Sequence, residues 1–150
     1  MKIITIFTFL FSWSVFNCSG KGSLIAEYSK QFNVDKHLIC AIIKVESNFN
    51  PVAINKNDGP SDSLGLMQIK YSTARELGFR GTPKQLISPN YNLKYGIKYL
   101  AKAQEKFNNV SHVIQAYNGG LAVKIKDHTS YTRKVLRAKI WCKENIGGML

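Results

Sequence analysis

Apolar residues recur at helical spacing from residue 24 onward, and this periodicity narrows the choice of fold more than any other feature of the chain. In the helix predicted to start near Asp35, one stripe is spaced by four, three and four residues: Leu38, Ile42, Val45 and Phe49. No convincing run of alternating β-branched residues occurs. The sequence therefore predicts an all-α fold.

The remaining helices are predicted from the same periodicity and from cap residues. They cover residues 23 to 32 with Ser23 as the cap, "STARELG" with Gly78 as the stop, a long helix opened by Ser88 and Pro89, residues 110 to 117, and residues 130 to 143. The segment 51 to 70 is rich in turn-forming residues and is predicted to be a loop. About six helices around one cleft are the expected architecture.

One carboxylate interrupts the apolar run of the second helix. Glu46 lies four residues after Ile42 and three after Ile43, so it shares their flank and is expected to be half-buried. A carboxyl group beside apolar helix faces loses hydration of its charged form, which raises its pKa and suits it to act as a general acid. Helical spacing by itself leaves a second interpretation open, in which Glu46 points to solvent or caps the helix end.

The N-terminal segment has the pattern of an export signal. Met1-Lys2 is followed by an uncharged apolar run over residues 3 to 16, which is shorter than the roughly 20 residues that span a bilayer. We predict a signal peptide over residues 1 to 18 and one domain over residues 19 to 150. Cys18 lies where bacterial lipoprotein signals place a lipid-modified cysteine; cleavage nearby, or an uncleaved anchor, would also export the domain.

Two cysteines remain in the exported domain. Cys40 and Cys142 could pair in an oxidising compartment or stay as separately buried thiols, and the sequence leaves both alternatives open. His37, His112 and His128 are far apart in sequence and lack ligand spacing, and no CxxC motif occurs, so no metal site is expected.

The chain is strongly basic. Its formal net charge is +12, and removal of residues 1 to 18 takes away one positive charge, that of Lys2, so the exported part carries +11. Such a surface attracts polyanions, which for an exported protein are cell-wall polymers and anionic lipid. Nucleic acid is therefore not an expected partner, and the membrane is expected to be contacted only through the signal or a lipid anchor.

Five short motifs occur in an order that resembles the soluble lytic transglycosylase family of peptidoglycan-cleaving enzymes. They are "ESNFNP" at 46 to 51, "GLMQI" at 65 to 69, "NLKYGIKYL" at 92 to 100, "AYNGG" at 116 to 120 and "YTRKV" at 131 to 135. The resemblance covers roughly residues 24 to 137. It implies a lysozyme-like, all-α domain with a substrate cleft and no cofactor.

The resemblance also implies roles for single residues. Glu46 resembles the single catalytic acid and base of the family, with Ser47 beside it supporting the helix end. Gln68 matches a substrate-contacting glutamine, and Met67 is expected to line the cleft. Ser63 is the serine expected beside the sugar, although the loop from Ala53 to Ser63 is longer than is usual in the family.

Three further cleft residues follow from the last two motifs. Tyr117 matches the tyrosine that holds the catalytic carboxyl, Asn118 matches an asparagine that contacts sugar, and Tyr131 matches a second cleft tyrosine. Asn92 and Gly96 also fit the family pattern, and we expect them to be structural because a glycine within a helix usually marks close packing.

The implied reaction is cleavage between N-acetylmuramic acid and N-acetylglucosamine with formation of a 1,6-anhydro ring. A hydrolytic muramidase is the nearest alternative and would need a second carboxylate, for which Asp58 and Asp62 are the candidates. A non-catalytic wall-binding accessory of an envelope-spanning apparatus, and a basic DNA-binding helical domain, are the alternatives from other classes. Peptidoglycan glycan strands are the expected partner, and a secretion or motility apparatus is compatible with the sequence.

Overall fold

Seven helices and three short strands make up the part of the chain that the structure, a computed structural model, describes: residues 21–56, 59, 61–127 and 129–146. The helices are α1 (Lys21–Phe32), α2 (Lys36–Ser47), α3 (Tyr71–Glu76), α4 (Pro83–Leu86), α5 (Pro89–Lys106), α6 (Val110–Gly119) and α7 (Ser130–Ile146). The strands are β1 (Ile54–Asn55), β2 (Ser63–Leu64) and β3 (Ile69–Lys70). The predicted signal peptide, including Cys18, lies outside the described residues.

Most helix boundaries agree with the sequence-based prediction, with one correction at the start. Helix α1 begins at Lys21, so Ser23 lies within the helix and the prediction that it caps α1 was wrong. Asp35 is the N-cap of α2, and its side chain accepts a hydrogen bond from the His37 backbone N–H at 2.8 Å. Gly78 follows α3 with a φ of +100°, a conformation that glycine adopts easily, and this confirms it as the stop.

The segment predicted as a loop contains the three strands, which form an antiparallel sheet in the order β1-β2-β3. Each strand has only two residues, which is too short to give an alternating apolar pattern in the sequence. Helix α4 was also missed, although Thr82 and Gln85 form a capping box at its start.

Two groups of buried side chains stabilise these elements. The larger, the helical core, is formed mainly by α1, α2, α5, α6 and α7; its fully buried members include Ile25, Ile39, Ile42, Leu93, Ile97, Leu100, Ile114 and Val135. The smaller, the strand cluster, consists of Leu64, Ile69, Ala74, Leu77, Phe79 and Leu86. Helix α2 lies deep in the helical core, because every residue from Leu38 to Ile43 is buried.

A disulfide joins the two cysteines of the domain. Cys40 in α2 bonds to Cys142 in α7, 102 residues later, which decides between the alternatives that the sequence left open. Both cysteines are fully buried in the helical core. The bridge therefore joins α2 covalently to α7.

No helix in the described residues is both long enough and apolar enough to cross a membrane.

Candidate active site

Helix α2 places Glu46 at the edge of the helical core. The helix is buried on all sides from Leu38 to Ile43, and Glu46, in the next turn, emerges half-buried, as predicted. The helix ends at Ser47, and the next residue, Asn48, adopts a left-handed conformation with a φ of +47°. The carboxyl group therefore stands at the end of a rigid, well-packed element.

Ser47 holds this helix end against the turn that follows β2. Its hydroxyl donates to the backbone carbonyls of Ile43, at 3.1 Å, and Leu66, at 2.8 Å. This agrees with the expectation that Ser47 supports the helix end. The contact with Leu66 connects α2 to the "GLMQ" turn and so fixes the spacing between Glu46 and that turn.

A pocket of about 240 Å³ opens beside Glu46. Its walls come from α2, from the sheet and α3, and from α5 and α6: Glu46, Asn55, Ser63, Gln68, Ile69, Lys70, Thr73, Tyr99, Tyr117, Asn118, Gly119 and Gly120. Among the described residues that line it, Glu46 is the single carboxylate. Asp62 is not part of the lining, and Asp58 lies outside the described residues.

Tyr131 contacts the carboxyl group directly. This tyrosine lies in the first turn of α7, and its hydroxyl donates a hydrogen bond to Glu46 Oε1. Burial raises the pKa of the Tyr131 phenol, and the negative charge of Glu46 and the hydrogen bond to it raise that pKa further. The phenol therefore stays protonated and acts as a fixed donor that orients the carboxyl group.

The Tyr117 hydroxyl has a different hydrogen-bond partner from the one expected. The resemblance assigns the carboxyl-holding role to Tyr117, but its hydroxyl donates to the Met67 backbone carbonyl at 2.7 Å. Burial raises its pKa well above the ordinary value, and the nearby charge of Glu46 adds to this effect. The ring packs against that of Tyr99 with centroids 5.6 Å apart. Tyr117 thus links α6 to the "GLMQ" turn and lines the pocket.

The "GLMQ" turn is built around two residues with positive φ. Gly65 has a φ of +72°, and a Cβ there would meet Asn92 Nδ2 at 2.4 Å, so only glycine fits. Gln68 has a φ of +46°, which is uncommon for a residue with a side chain. Its Nε2 donates to the carbonyls of Ala53, at 3.1 Å, and Gly65, at 2.9 Å, and these bonds stabilise the conformation. Its amide oxygen is the atom available to a donor in the pocket.

The Met67 side chain does not line the cleft, and this prediction was wrong. The residue is fully buried, because its side chain packs beneath α5 at Gly96, where a Cβ would come within 2.6 Å of the Met67 sulfur. Its contribution to the site is the backbone carbonyl that accepts from Tyr117. The same packing agrees with the structural role expected of Gly96.

Asn92 is also structural, as expected. It is fully buried in α5, and its Oδ1 accepts from the Met67 backbone N–H at 2.8 Å. Its Nδ2 donates to the carbonyls of Leu64, at 2.7 Å, and Leu86, at 3.1 Å. One amide side chain therefore joins β2, the "GLMQ" turn and α4 to α5.

The other predicted residues have distinct environments. Ser63 is almost fully buried in β2 and faces Asn55 across the sheet, and both line the pocket. Asn118 is exposed at the end of α6 and lines the same pocket. The structure thus brings Glu46, Ser63, Gln68, Tyr117 and Asn118 to one pocket, with Tyr131 behind the carboxyl group.

Among the lining residues with polar or aromatic side chains, the sequence analysis missed four: Asn55, Lys70, Thr73 and Tyr99. Tyr99 lies within the "NLKYGIKYL" motif, which could have marked it. Asn55 and Lys70 come from two-residue strands, which show no periodic pattern, and Thr73 comes from the short helix α3. Among the described residues, no group of three His, Cys, Asp or Glu side chains could hold a metal ion, and His128 lies outside them.

Comparison with known proteins assigns the class. Residues 23–139 match the family model described as the Transglycosylase SLT domain, so the chain belongs to this family. The match spans every element from α1 to most of α7, including all the predicted site residues.

One solved structure with the same fold is an inactive mutant of the lytic transglycosylase Slt from Pseudomonas aeruginosa. The TM-score is 0.70 at 23% sequence identity, and the match covers 88% of this chain and 25% of that chain. This chain therefore corresponds to about a quarter of the length of that protein. The all-α, lysozyme-like fold expected from the sequence is confirmed.

Proposed function

We propose that the protein is a peptidoglycan lytic transglycosylase that uses Glu46 as its only acid and base. The observation that carries this proposal is the placement of Glu46, whose carboxyl group is half-buried at the pocket, oriented by the Tyr131 hydroxyl, and faces no second carboxylate among the described lining residues. Family membership supports the same class of reaction.

In the proposed reaction, Glu46 first donates a proton to the glycosidic oxygen that leaves with N-acetylglucosamine. The bond from that oxygen to C1 of N-acetylmuramic acid breaks, and the acetamido group of the same sugar shields the positive centre at C1. The Glu46 carboxylate then takes the proton of the 6-hydroxyl as its oxygen bonds to C1. The product is a 1,6-anhydro ring, no water is consumed, and Glu46 is protonated again.

The intramolecular attack explains why one carboxylate suffices. The 6-hydroxyl is already held close to C1 within the same sugar, so no separate water has to be bound and activated. A hydrolase would instead use a second carboxylate near the water. Gln68, Ser63 and Asn118 are proposed to contact sugar, while Tyr117 and Tyr131 position the turn and the carboxyl group.

The site of action is proposed from the sequence. The apolar run over residues 3 to 16 supports export to the periplasm or cell envelope, with Cys18 as a candidate lipid attachment site. The basic surface would hold the enzyme on a polyanionic wall. Service to a secretion or motility apparatus is compatible with these features.

The first experiment is mass spectrometry of sugars released from isolated peptidoglycan by purified residues 21 to 150. We expect anhydro-ended products, and we expect Glu46→Gln to lower their rate of release by about 10³-fold, within the range for loss of a general acid. Glu105→Gln, at an exposed acid on α5, is the matched control and should cleave normally.

Two other results would overturn the proposal. Reducing-ended products would indicate a hydrolase and direct attention to Asp58 and Asp62. A folded protein that binds the wall and releases nothing would indicate a non-catalytic accessory.

A further inference from the structure

A second surface feature lies on the outer side of the contact between α2 and α7. It is an open groove of about 430 Å³, which falls within the roughly 300 to 1,000 Å³ of typical ligand sites. Its floor is apolar and is formed by Val45, Ala138 and the indole of Trp141. Lys134 and Arg137 stand exposed along its edge.

The charged residues of this groove are all cationic. Lys44, Lys134 and Arg137 line it, and no carboxylate is among its described lining residues. Within the described part of the chain, none of these three cations forms an ion pair. By contrast, Lys139, which lies on α7 with Lys134 and Arg137, pairs with Asp35 at 2.8 Å. The groove therefore combines an apolar floor with positive charge that has no carboxylate beside it.

Lys44 is the most enclosed of the three cations. Its ammonium lies 3.9 Å from the centroid of the Trp141 ring, and this cation–π contact compensates part of its lost hydration. Burial still lowers the pKa of Lys44. A carboxylate docked beside it would offset this effect by stabilising the charged form.

The groove faces away from the pocket of Glu46. Lys44 lies two residues from Glu46, which is about 200° around a helix of 3.6 residues per turn. The groove and the pocket share no lining residue. An occupant of the groove would leave the pocket open, so a glycan strand bound at Glu46 is not the ligand that this surface fits.

We propose that the groove docks an acidic segment of a partner protein, with an apolar side chain over Ala138 and Trp141 and carboxylates at Lys134 and Arg137. Charge complementarity favours an acidic partner, and the apolar floor favours a polypeptide over a polymer that carries charge alone. The proposal goes beyond the catalytic function and holds whether or not Glu46 cleaves glycan.

Labelled peptides test this docking directly. Fluorescence anisotropy would compare the full-length protein with two fluorescein-labelled octapeptides, one alternating Glu and Leu and one alternating Glu and Ser. We expect the Glu/Leu peptide to bind at least about tenfold more tightly, because only its leucines bury apolar surface in the groove. Lys134→Glu/Arg137→Glu should weaken Glu/Leu binding by about tenfold or more through charge repulsion.

The matched control is Lys102→Glu/Lys143→Glu, which makes the same change in net charge at exposed positions outside the groove. It should alter Glu/Leu binding by less than about twofold. Peptidoglycan cleavage should be equal in the two double variants, because both lose the same positive charge from the basic surface and neither changes a pocket residue, which separates failure of docking from failure of catalysis. Should the groove variant unfold, Arg137→Glu alone is expected to weaken binding about threefold.

Three results would overturn the proposal. In the first, the control variant weakens binding as much as the groove variant. In the second, the Glu/Ser peptide binds as tightly as the Glu/Leu peptide. In the third, phosphatidylglycerol vesicles bind the wild type more tightly than the Glu/Leu peptide and lose binding in Lys134→Glu/Arg137→Glu, which would identify a lipid surface as the occupant.

Discussion

The helical core and the strand cluster both reach the Glu46 pocket, but they hold their side chains by different means. In the helical core, Glu46 and Tyr131 are placed by the rotation of two well-packed helices that the Cys40–Cys142 disulfide also joins. Their positions therefore depend on many apolar contacts, none of which is specific to the site.

Beside the strand cluster, Ser63 is placed by strand pairing and Gln68 by two hydrogen bonds of its side chain. Three two-residue strands and one tight turn carry them, and the buried Asn92 side chain ties these segments to α5. A single polar substitution can therefore disturb this side of the pocket, whereas the acid side has many redundant contacts. The difference suggests that substrate contacts can vary while the catalytic group stays in place.

Removal of the disulfide should produce the largest effect and tests the redundancy of the helical core. The bridge closes a loop of 102 residues, so Cys40→Ala/Cys142→Ala should lower the free energy of unfolding by about 4 kcal/mol. Urea unfolding measures this loss. A reductant should lower the stability of the wild type and leave that of the double variant unchanged; a loss below about 1 kcal/mol would show that packing alone holds α2 against α7.

Substitution of Asn92 should come next and tests the dependence of the strand cluster on one side chain. Asn92→Ala removes the side-chain partner of buried backbone groups of Met67, Leu64 and Leu86, so we expect a loss of about 3 kcal/mol in the free energy of unfolding and faster amide exchange at Met67. The control is Asn90→Ala, at an exposed residue on the same helix as Asn92. It removes one acceptor for the Tyr28 hydroxyl and should lower the free energy of unfolding by less than about 1 kcal/mol. Equal losses of stability in Asn92→Ala and Asn90→Ala would show that the strand cluster does not depend on the Asn92 side chain.

Substitution of Tyr131 and of Tyr117 should affect catalysis differently. Tyr131→Phe removes the donor to Glu46 and should lower kcat for peptidoglycan cleavage by about 10- to 100-fold, or roughly 1.4 to 2.7 kcal/mol. Tyr117→Phe removes the donor to the Met67 carbonyl and should mainly lower stability, by about 1 to 3 kcal/mol. Steady-state kinetics with thermal unfolding distinguishes them, and a larger kcat loss in Tyr117→Phe would return the carboxyl-holding role to that residue.

Substitution of Asp35, the N-cap of α2 at the opposite end of the helix from Glu46, should change stability the least. Burial alone would raise its pKa, but the hydrogen bonds and charges of Lys139 and His37 lower it below the usual 3.8. The native state therefore gains stability from the charged form above about pH 3.8, and this gain is lost as the pH falls through the lower native pKa.

Two substitutions separate the contributions of Asp35. Asp35→Asn keeps the helix cap and should cost no more than about 1 kcal/mol at neutral pH, because the ion pair is partly exposed and screened. Asp35→Ala also removes the cap and should cost about 1 kcal/mol more. Urea unfolding at pH 7 and pH 3 measures both; an Asp35→Asn loss that persists unchanged at pH 3 would contradict the ion-pair contribution.

The sequence predicted the helices more accurately than the region around the three strands. Helix boundaries and the half-buried position of Glu46 were predicted because helical periodicity is a local property that a single sequence displays. The three strands and the buried position of Met67 were not, because two-residue strands have no period, and the packing of Met67 against Gly96 depends on a helix about thirty residues away.

The sequence by itself determined the all-α class, the placement of Glu46 on the flank of α2 and, through five ordered motifs, the family. Tertiary structure alone decided that Cys40 bonds to Cys142, and that Tyr131 rather than Tyr117 donates to Glu46. The physical reason is distance along the chain. The partners in these contacts are separated by 102 and 85 residues, so no local pattern records their approach, and only the packing of α2 against α7 brings them together.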